Sequence, residues 1–347
     1  MTSKSDIVIG LLQHSEIGKF QEFIREHWDK NHLFAKETSV FDWQHKNPTN
    51  YHYVTAKIEE DLVGVQGLIP LEHFDNNLPS SQIFLTIWSA LENRGLGLGL
   101  RVFKACEKEY SPEFIGTLGL IDKVIPFHER QGFTTGLMDH HMMLSPYINE
   151  FKIAIVPEHI KAKQQEHESI VSDNQEVKQL TISKLNALNT EKLYRYQRPL
   201  KSDSYLGNRY LRHCMYDYEV YAIIEQSEPI ALCVVRMISE NGTNVLRLVD
   251  YIGANETFAK LQSFSATLLR KYDAEYIDIY SHGIPLEMFK EAGYIRRSDY
   301  DDLVVPNHFE PFHQKNIDLN FGYKCPQAGE PVRLFKGDCD QDQPRVR

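Results

Sequence analysis

The chain has 347 residues, enough for two domains of ordinary size that each bury a core. Hydrophobic residues make up 42% and charged residues 25%, the balance of a soluble globular protein, and a net charge of −10 offers no basic field to DNA, RNA or an anionic membrane. The apolar run Ile7 to Leu12 is too short for a signal-peptide core or a bilayer span, and Cys106, Cys214, Cys233, Cys325 and Cys339 lack CxxC spacing. The expectation is a reduced, cytoplasmic chain with no metal site and with neither nucleic acid nor membrane as partner.

Ile7 to Leu12 reads as the first strand. After Ser15, Ile17, Phe20, Phe23, Ile24 and Trp28 recur along one helical face, which predicts a helix packed on a sheet. "YHYVTAKIEEDLVGVQGLIPL" reads as two strands joined at Glu59-Glu60-Asp61, and "IFLTIWSAL" as a third. There follows "ENRGLGLGLRVFKACEKEY", in which glycine alternates with leucine ahead of a helix ending near Tyr110. A dinucleotide fingerprint needs a later glycine that is missing, and a P-loop needs Lys-Ser/Thr where Leu100-Arg101 stand. What remains is Arg94-x-x-Gly97-x-Gly99, whose Cβ-less residues let consecutive amides turn inward at a helix start and hold a pyrophosphate without metal. A glycine-rich turn without a ligand is the alternative.

The run Arg94-Gly95-Leu96-Gly97-Leu98-Gly99, after a strand, resembles the Q/R-x-x-G-x-G/A loop of the GNAT N-acyltransferase superfamily. Downstream, "EFIGTLGLIDKVIPFHERQGF" is similar to the family's N-x-x-A-x-x-x-Y-x-x-x-G-F segment, with Ile121, Val124 and His128 in place of Asn, Ala and Tyr, and Gly132-Phe133 kept. The resemblance implies an acyl-coenzyme A site formed by Ser89, Ala90 and Leu91 at the end of the central strand and by Arg94, Gly95, Leu96, Gly97, Leu98, Gly99 and Leu100. It also implies an oxyanion met by a main-chain amide between Ser89 and Leu91. His128, in the tyrosine's place, is either a proton donor to the leaving thiolate or a surface helical histidine of no catalytic use. Glu92 is a possible base or half of a surface ion pair. Trp88, Trp43, His45 and Asn47 are candidate acceptor contacts.

The first domain is expected to run through residue 147, with His140-His141 pointing to opposite faces of its closing strand. Residues 148–175 read as a linker with a solvated helix. The pattern then restarts at an offset of about 165 residues, with "YLGNRYLRHCMYDYEVYAII" resembling "FDWQHKNPTNYHYVTAKI" and "EYIDIYSHGIPLEMFKEAGY" resembling "EFIGTLGLIDKVIPFHERQGF". Residues 176–306 therefore read as a second copy. Its strand "NVLRLVDYIG" enters "ANETFAKLQSF" without glycine alternation, and Phe289 stands where His128 does, so it lacks the cradle. Asp250 and His282 end its strands, positions where an acceptor's ammonium or phosphate would be met. Residues 307–347 read as an ordered extension; Asp338, Asp340 and Asp342 open like an EF-hand but lack its glycine and closing glutamate, which leaves a solvated tail or a clasp on the acceptor.

The fold expected is α/β: two tandem GNAT domains, each a twisted mixed sheet flanked by helices, plus the extension. Such chains resemble bacterial nucleotide-sugar N-acyltransferases of surface polysaccharide (O-antigen, lipopolysaccharide) biosynthesis. The resemblance implies acetyl-CoA or 3-hydroxybutanoyl-CoA as co-substrate, a dTDP-linked 3-amino-3,6-dideoxyhexose as acceptor, and a monomer or homodimer. A protein, peptide or antibiotic amine as acceptor, or a non-catalytic coenzyme A sensor, remain alternatives.

Overall fold

The computed structural model describes residues 6–79, 81–92, 97–165, 175–325 and 331–343. The chain divides into two compact units, one of Met1–Thr135, Phe321–Ala328 and Gln343–Arg347, the other of Gly136–Asn320 and Gly329–Asp342.

The first unit contains β1 (Ile7–Leu11), α1 (Ile17–His27), α2 (Ser39–His45), β2 (Tyr53–Ile58), β3 (Asp61–Pro70), β4 (Gln82–Ala90), α3 (Leu98–Tyr110), β5 (Phe114–Leu118), α4 (Ile125–Arg130) and β6 (Thr134–Leu137). Phe20, Phe23 and Ile24 of α1 are buried at helical spacing, as the periodicity requires. Trp28 departs from expectation: it caps the helix with non-helical backbone, so the expected stripe ends before it and its side chain is 49% exposed. The turn at Glu59 is as read, with a positive φ of 56°.

The second unit contains β7 (Asp139–Leu144), α5 (Glu158–Gln165), β8 (Gln175–Leu180), α6 (Ile182–Ala187), α7 (Asp203–Leu206), β9 (Tyr218–Glu225), β10 (Glu228–Glu240), β11 (Thr243–Gly253), α8 (Asn255–Phe258), α9 (Gln262–Tyr272), β12 (Ala274–His282), α10 (Leu286–Glu291) and β13 (Ile295–Arg296). Two later strands, β14 (Asn320–Lys324) and β15 (Leu334–Phe335), come from the extension.

The first sheet runs β1-β2-β3-β4-β5-β14-β6, and the second β13-β7-β12-β11-β10-β9-β8 with β15 also on β12. Each has one parallel pair at its centre, β4 with β5 and β11 with β12. The two orders superpose element for element, with one exchange. β7, expected to close the first sheet, instead pairs antiparallel with β12, placing His140 opposite Tyr280 and His141 opposite Ile279. In the first sheet that place beside β5 goes to β14, with Phe321 opposite Leu118 and Tyr323 opposite Gly116. The boundary at residue 147 is thereby corrected: the first unit ends near Thr135 and recovers a strand from beyond residue 320.

The two faces of the second sheet differ in kind. One carries an apolar core in which Leu246, Leu248, Ile277 and Ile279 pack on Phe264, Leu268 and Phe289 of α9 and α10. The alternate residues point the other way, as the period of two dictates. There Arg247 holds Asp278 bidentately at 2.9 and 2.7 Å, and His140 Nε2 lies 3.0 Å from the same carboxylate. Burial opposes ionisation of Asp278, but Arg247 and His140 outweigh it and hold its pKa well below the usual carboxylate range. His140 and His141 do face opposite ways: His140 stacks on Tyr280, and His141 stacks on Phe289. Among the described residues no helix is long and apolar enough to cross a membrane, and no group of three His, Cys, Asp or Glu side chains converges as a metal site.

The exchange predicts how truncation behaves. A chain ending after Pro146 lacks β14, which leaves the β5 and β6 edges unpaired, a state that favours aggregation. Soluble yield and a cooperative melt should be lost in that fragment and restored when residues 319–325 are appended through a flexible linker.

Candidate functional site

The site in the first unit begins with a ladder that stops. β4 and β5 pair in parallel from Gln82↔Phe114 to Leu85↔Thr117, and beyond Leu85, among the described residues, β4 pairs with β3 alone. The cause is local. Between the pairs Gln66↔Trp88 and Leu68↔Leu85 the register shifts, so that Thr86 and Ile87 together oppose the single residue Gly67. Such a bulge bends its strand and increases the local twist, turning the end of β4 away from β5. Gly67 must be glycine: an added Cβ would lie 2.1 Å from Thr86 Oγ1 and 2.5 Å from the Tyr53 ring. The Gln66 side chain secures the bend by donating to Gly67 O and Thr86 O, each at 3.1 Å.

Past the bulge, Leu91 N–H donates to Val63 O at 2.9 Å. Alternation along the antiparallel ladder then directs the amides of Ser89 and Leu91 to β3 and those of Trp88 and Ala90 into the opening. The amide expected between Ser89 and Leu91 is thus narrowed to Ala90, with Trp88 beside it. The Ser89 side chain shares a face with Ile87, toward the α1 and α2 cluster, and the Trp88 indole lies on the opposite face.

Arg94, Gly95 and Leu96 lie outside the described residues. Gly97 is the N-cap of α3 in the left-handed region, at φ 74° and ψ 15°, and a Cβ added there would meet nothing within 4 Å. Arg101 N–H is the first to bond back, to Gly97 O at 3.0 Å. Among the described residues the amides of Leu98, Gly99 and Leu100 therefore have no helical acceptor, and they carry the partial positive charge of a helix start. The Leu98 side chain is buried in the core, whereas Leu100 is exposed. Gly99 has a further reason beside the one its spacing suggests. A Cβ there would sit 3.0 Å from the Trp88 ring, whose Nε1 donates to Gly99 O at 3.3 Å, so Gly99 makes room for an indole.

Trp88 also packs on Phe127 of α4 at 4.6 Å, and around His128 stand Trp88, Phe103, Phe127 and Phe133, their rings edge-on at 5.9, 6.3, 5.4 and 5.2 Å. His128 Nδ1 donates to Val124 O at 2.9 Å. Burial lowers its pKa, and that hydrogen bond only partly offsets the effect. A buried imidazole held neutral, its one proton already committed to a carbonyl, is poorly suited to donate to a thiolate. His128 is buried and not at the surface, and the geometry favours a packing role for it over the acid role.

The other expected contacts divide. Glu92, just past the end of β4, lies 3.9 Å from Lys123 ahead of α4, both largely in solvent, which fits the surface-pair reading. His45 is fully buried, with Nδ1 on Leu68 O at 2.8 Å and its ring against Phe34, Phe41 and Tyr53; it is a core residue and not an acceptor contact. Trp43 packs on Phe74, and Asn47 orders its own loop by accepting from the Thr49 and Asn50 amides. Asp250 cannot hold an acceptor's ammonium, because Lys201 takes both its oxygens at 2.7 and 2.8 Å and Tyr210 donates to it at 2.9 Å, all fully buried or nearly so. His282 pairs with Leu334 at the end of β12. Asp338 and Asp342 are not a solvated tail but buried ion-pair partners: Asp338 is 2.5 Å from Lys201, and Asp342 takes Arg236 and Tyr218 at 2.8 Å each.

A scan against protein-family models finds no match, and a search of curated proteins finds none either. Among solved structures, the chain is similar to a GCN5-related N-acetyltransferase from Anabaena variabilis, with a TM-score of 0.57 and 11% identity over 92% of this chain and 73% of that one. It is similar also to one from Kribbella flavida, with a TM-score of 0.55 and 7% identity over 94% and 72%. A probable N-acyltransferase from Enterococcus faecalis gives 0.55 and 9% over 84% and 70%. The fold is that of the GCN5-related N-acetyltransferases. Coverage of both halves agrees with a GNAT fold present twice.

If His128 serves packing in this GNAT fold, His128→Phe should keep turnover within about tenfold of the wild type, well short of the ~100-fold or greater loss that follows removal of a positioned acid. Steady-state kinetics beside a melting curve would check this, and a loss beyond ~100-fold in a fully folded variant would restore the acid role.

Proposed function

We propose that the first unit transfers an acyl group from acyl-coenzyme A to an amine by direct attack in a ternary complex. The observation that carries the reading is the opening past Leu85, with the Trp88 and Ala90 amides turned into it and the α3 amides after Gly97 beside it. In this reading the helix start and its amides meet the pyrophosphate, and the coenzyme's pantetheine arm lies along β4 as an added strand. The thioester carbonyl then points at the Ala90 amide.

The amine nitrogen attacks the carbonyl carbon; the oxygen, now negative, takes the hydrogen bond that Ala90 offers. As the C–N bond is completed the C–S bond breaks, and a proton leaving the nitrogen passes by water to the thiolate. The chain's share is to position two reactants and to meet the oxyanion with a fixed dipole.

For the donor we infer acetyl-CoA or 3-hydroxybutanoyl-CoA, and for the acceptor a nucleotide-linked amino sugar, taking dTDP-3-amino-3,6-dideoxyhexose first. The support for these is the sequence resemblance alone. A panel of nucleotide-sugars, peptides and antibiotic amines with each donor, read by thiol release and product mass, tests them. Binding without thiol release across the panel would favour a coenzyme A sensor.

Calorimetry should find one coenzyme A per chain, because α9 of the second unit starts after Leu261 with no left-handed glycine at its N-cap. Gly97→Val should weaken that binding by at least about tenfold while the fold persists, since a β-branched residue is strained at positive φ and would misdirect the first amides. Unchanged affinity in folded Gly97→Val, or two sites per chain, would overturn the assignment.

A further inference from the structure

The second sheet opens in the same way as the first, but its opening is filled. β11 and β12 pair in parallel from Asn244↔Ala274 to Leu248↔Ile279, after which β11 continues to Gly253 and β12 to His282. Between the two ends lies β15, antiparallel on β12 with Phe335 opposite Ser281 and Leu334 opposite His282. Its other side is tied to β11: Gly337 N–H donates to Val249 O at 2.9 Å, and the Arg333 guanidinium donates to Gly253 O. Leu334 and Phe335 are completely buried.

The fit is specific in two ways. Glycines let the segment in: a Cβ on Gly283 would lie 2.2 Å from Val332 O, and one on Gly337 would lie 2.6 Å from Tyr210 Oη and 2.8 Å from Val249 O. Buried charge then holds it. Arg209 donates to Gly337 O at 2.7 Å and to Cys339 O at 2.5 Å. Asp338 accepts the Phe335 amide at 2.7 Å and pairs with Lys201, and Asp342 is held by Arg236 and Tyr218.

We propose that the opening between β11 and β12 is a binding site for an extended peptide strand, and that residues 332–342 are its resident ligand, occupying the place that a coenzyme's pantetheine arm would take in such a fold. The second unit is then a coenzyme-binding fold whose groove recognises main chain in place of coenzyme. This rests on the two sheets alone and stands whether or not the first unit transfers acyl groups.

The test uses the full chain with a specific protease site inserted between Ala328 and Gly329. After cleavage, the released C-terminal fragment should stay bound through gel filtration, and a labelled peptide of residues 331–343 should exchange into the cut protein at one per chain. Peptide carrying Gly337→Val should bind at least about tenfold more weakly, because its Cβ would meet a main-chain carbonyl. Should the cut chain unfold, hydrogen exchange on the intact protein decides: the Phe335 and Gly337 amides should be protected as strongly as those of Leu246 and Leu248. Departure of the fragment from a body that keeps its melting temperature, equal binding of the Gly337→Val peptide, or fast exchange at Phe335 and Gly337 would overturn the proposal.

Discussion

Both units depend on a parallel ladder that ends early. A sheet normally satisfies every buried N–H and C=O by pairing, and an interruption between two central strands leaves polar backbone that must find another partner. In the first unit the bulge opposite Gly67 forces the interruption, and the freed amides of Trp88 and Ala90 are the consequence. Gln66 meets one of the exposed carbonyls, that of Thr86, with its side chain. The proposed chemistry uses the remaining amides, so the same defect in pairing that weakens the sheet supplies the fixed dipoles.

The second unit meets the same requirement with protein. β15 satisfies β12 through a short ladder and β11 through Gly337 and Arg333, so the gap is closed by main chain. The charges around it serve selection more than net stability. Lys201 is shared by two carboxylates, those of Asp250 and Asp338, and burial raises the Asp338 pKa to about 6 against the opposing pull of Lys201. A buried pair contributes little over apolar packing, yet removing one partner costs about 3–5 kcal/mol. A cluster of this kind therefore penalises any segment that does not bring a carboxylate and two carbonyls to the right places.

Much of this was legible in the sequence. Hydrophobic periodicity gave the helices and strands of the first half, and the internal repeat gave the second sheet, because both are consequences of local pattern. The helix start at Gly97 is legible because alternating glycine before an amphipathic run has few structural uses. Gly67, in the middle of an apolar strand, was the available signal for the bulge and was not read as one. The errors at Asp250 and His45 share a cause: a polar residue at a strand or helix end looks the same in sequence whether it faces a ligand or a buried lysine. Lys201 and Leu68, their partners, lie 49 and 23 positions away.

The strand exchange was not legible for a stronger reason. β7 and β14 each carry residues able to lie beside a central strand, and nothing within either segment says which sheet receives it. The choice is made by what surrounds each slot. His140 and His141 find Asp278, Tyr280 and Phe289 in the second unit, and Lys324 finds Glu107 at 3.0 Å in the first. β14 reaches the first sheet from beyond residue 320, whereas β7 joins a sheet whose other strands follow it in the chain. Non-local closure of this kind makes the order of folding less sequential than the tandem repeat suggests, since neither sheet is whole until residues beyond 320 are available. The repeat is therefore a record of sequence similarity and not a boundary between independently completed domains.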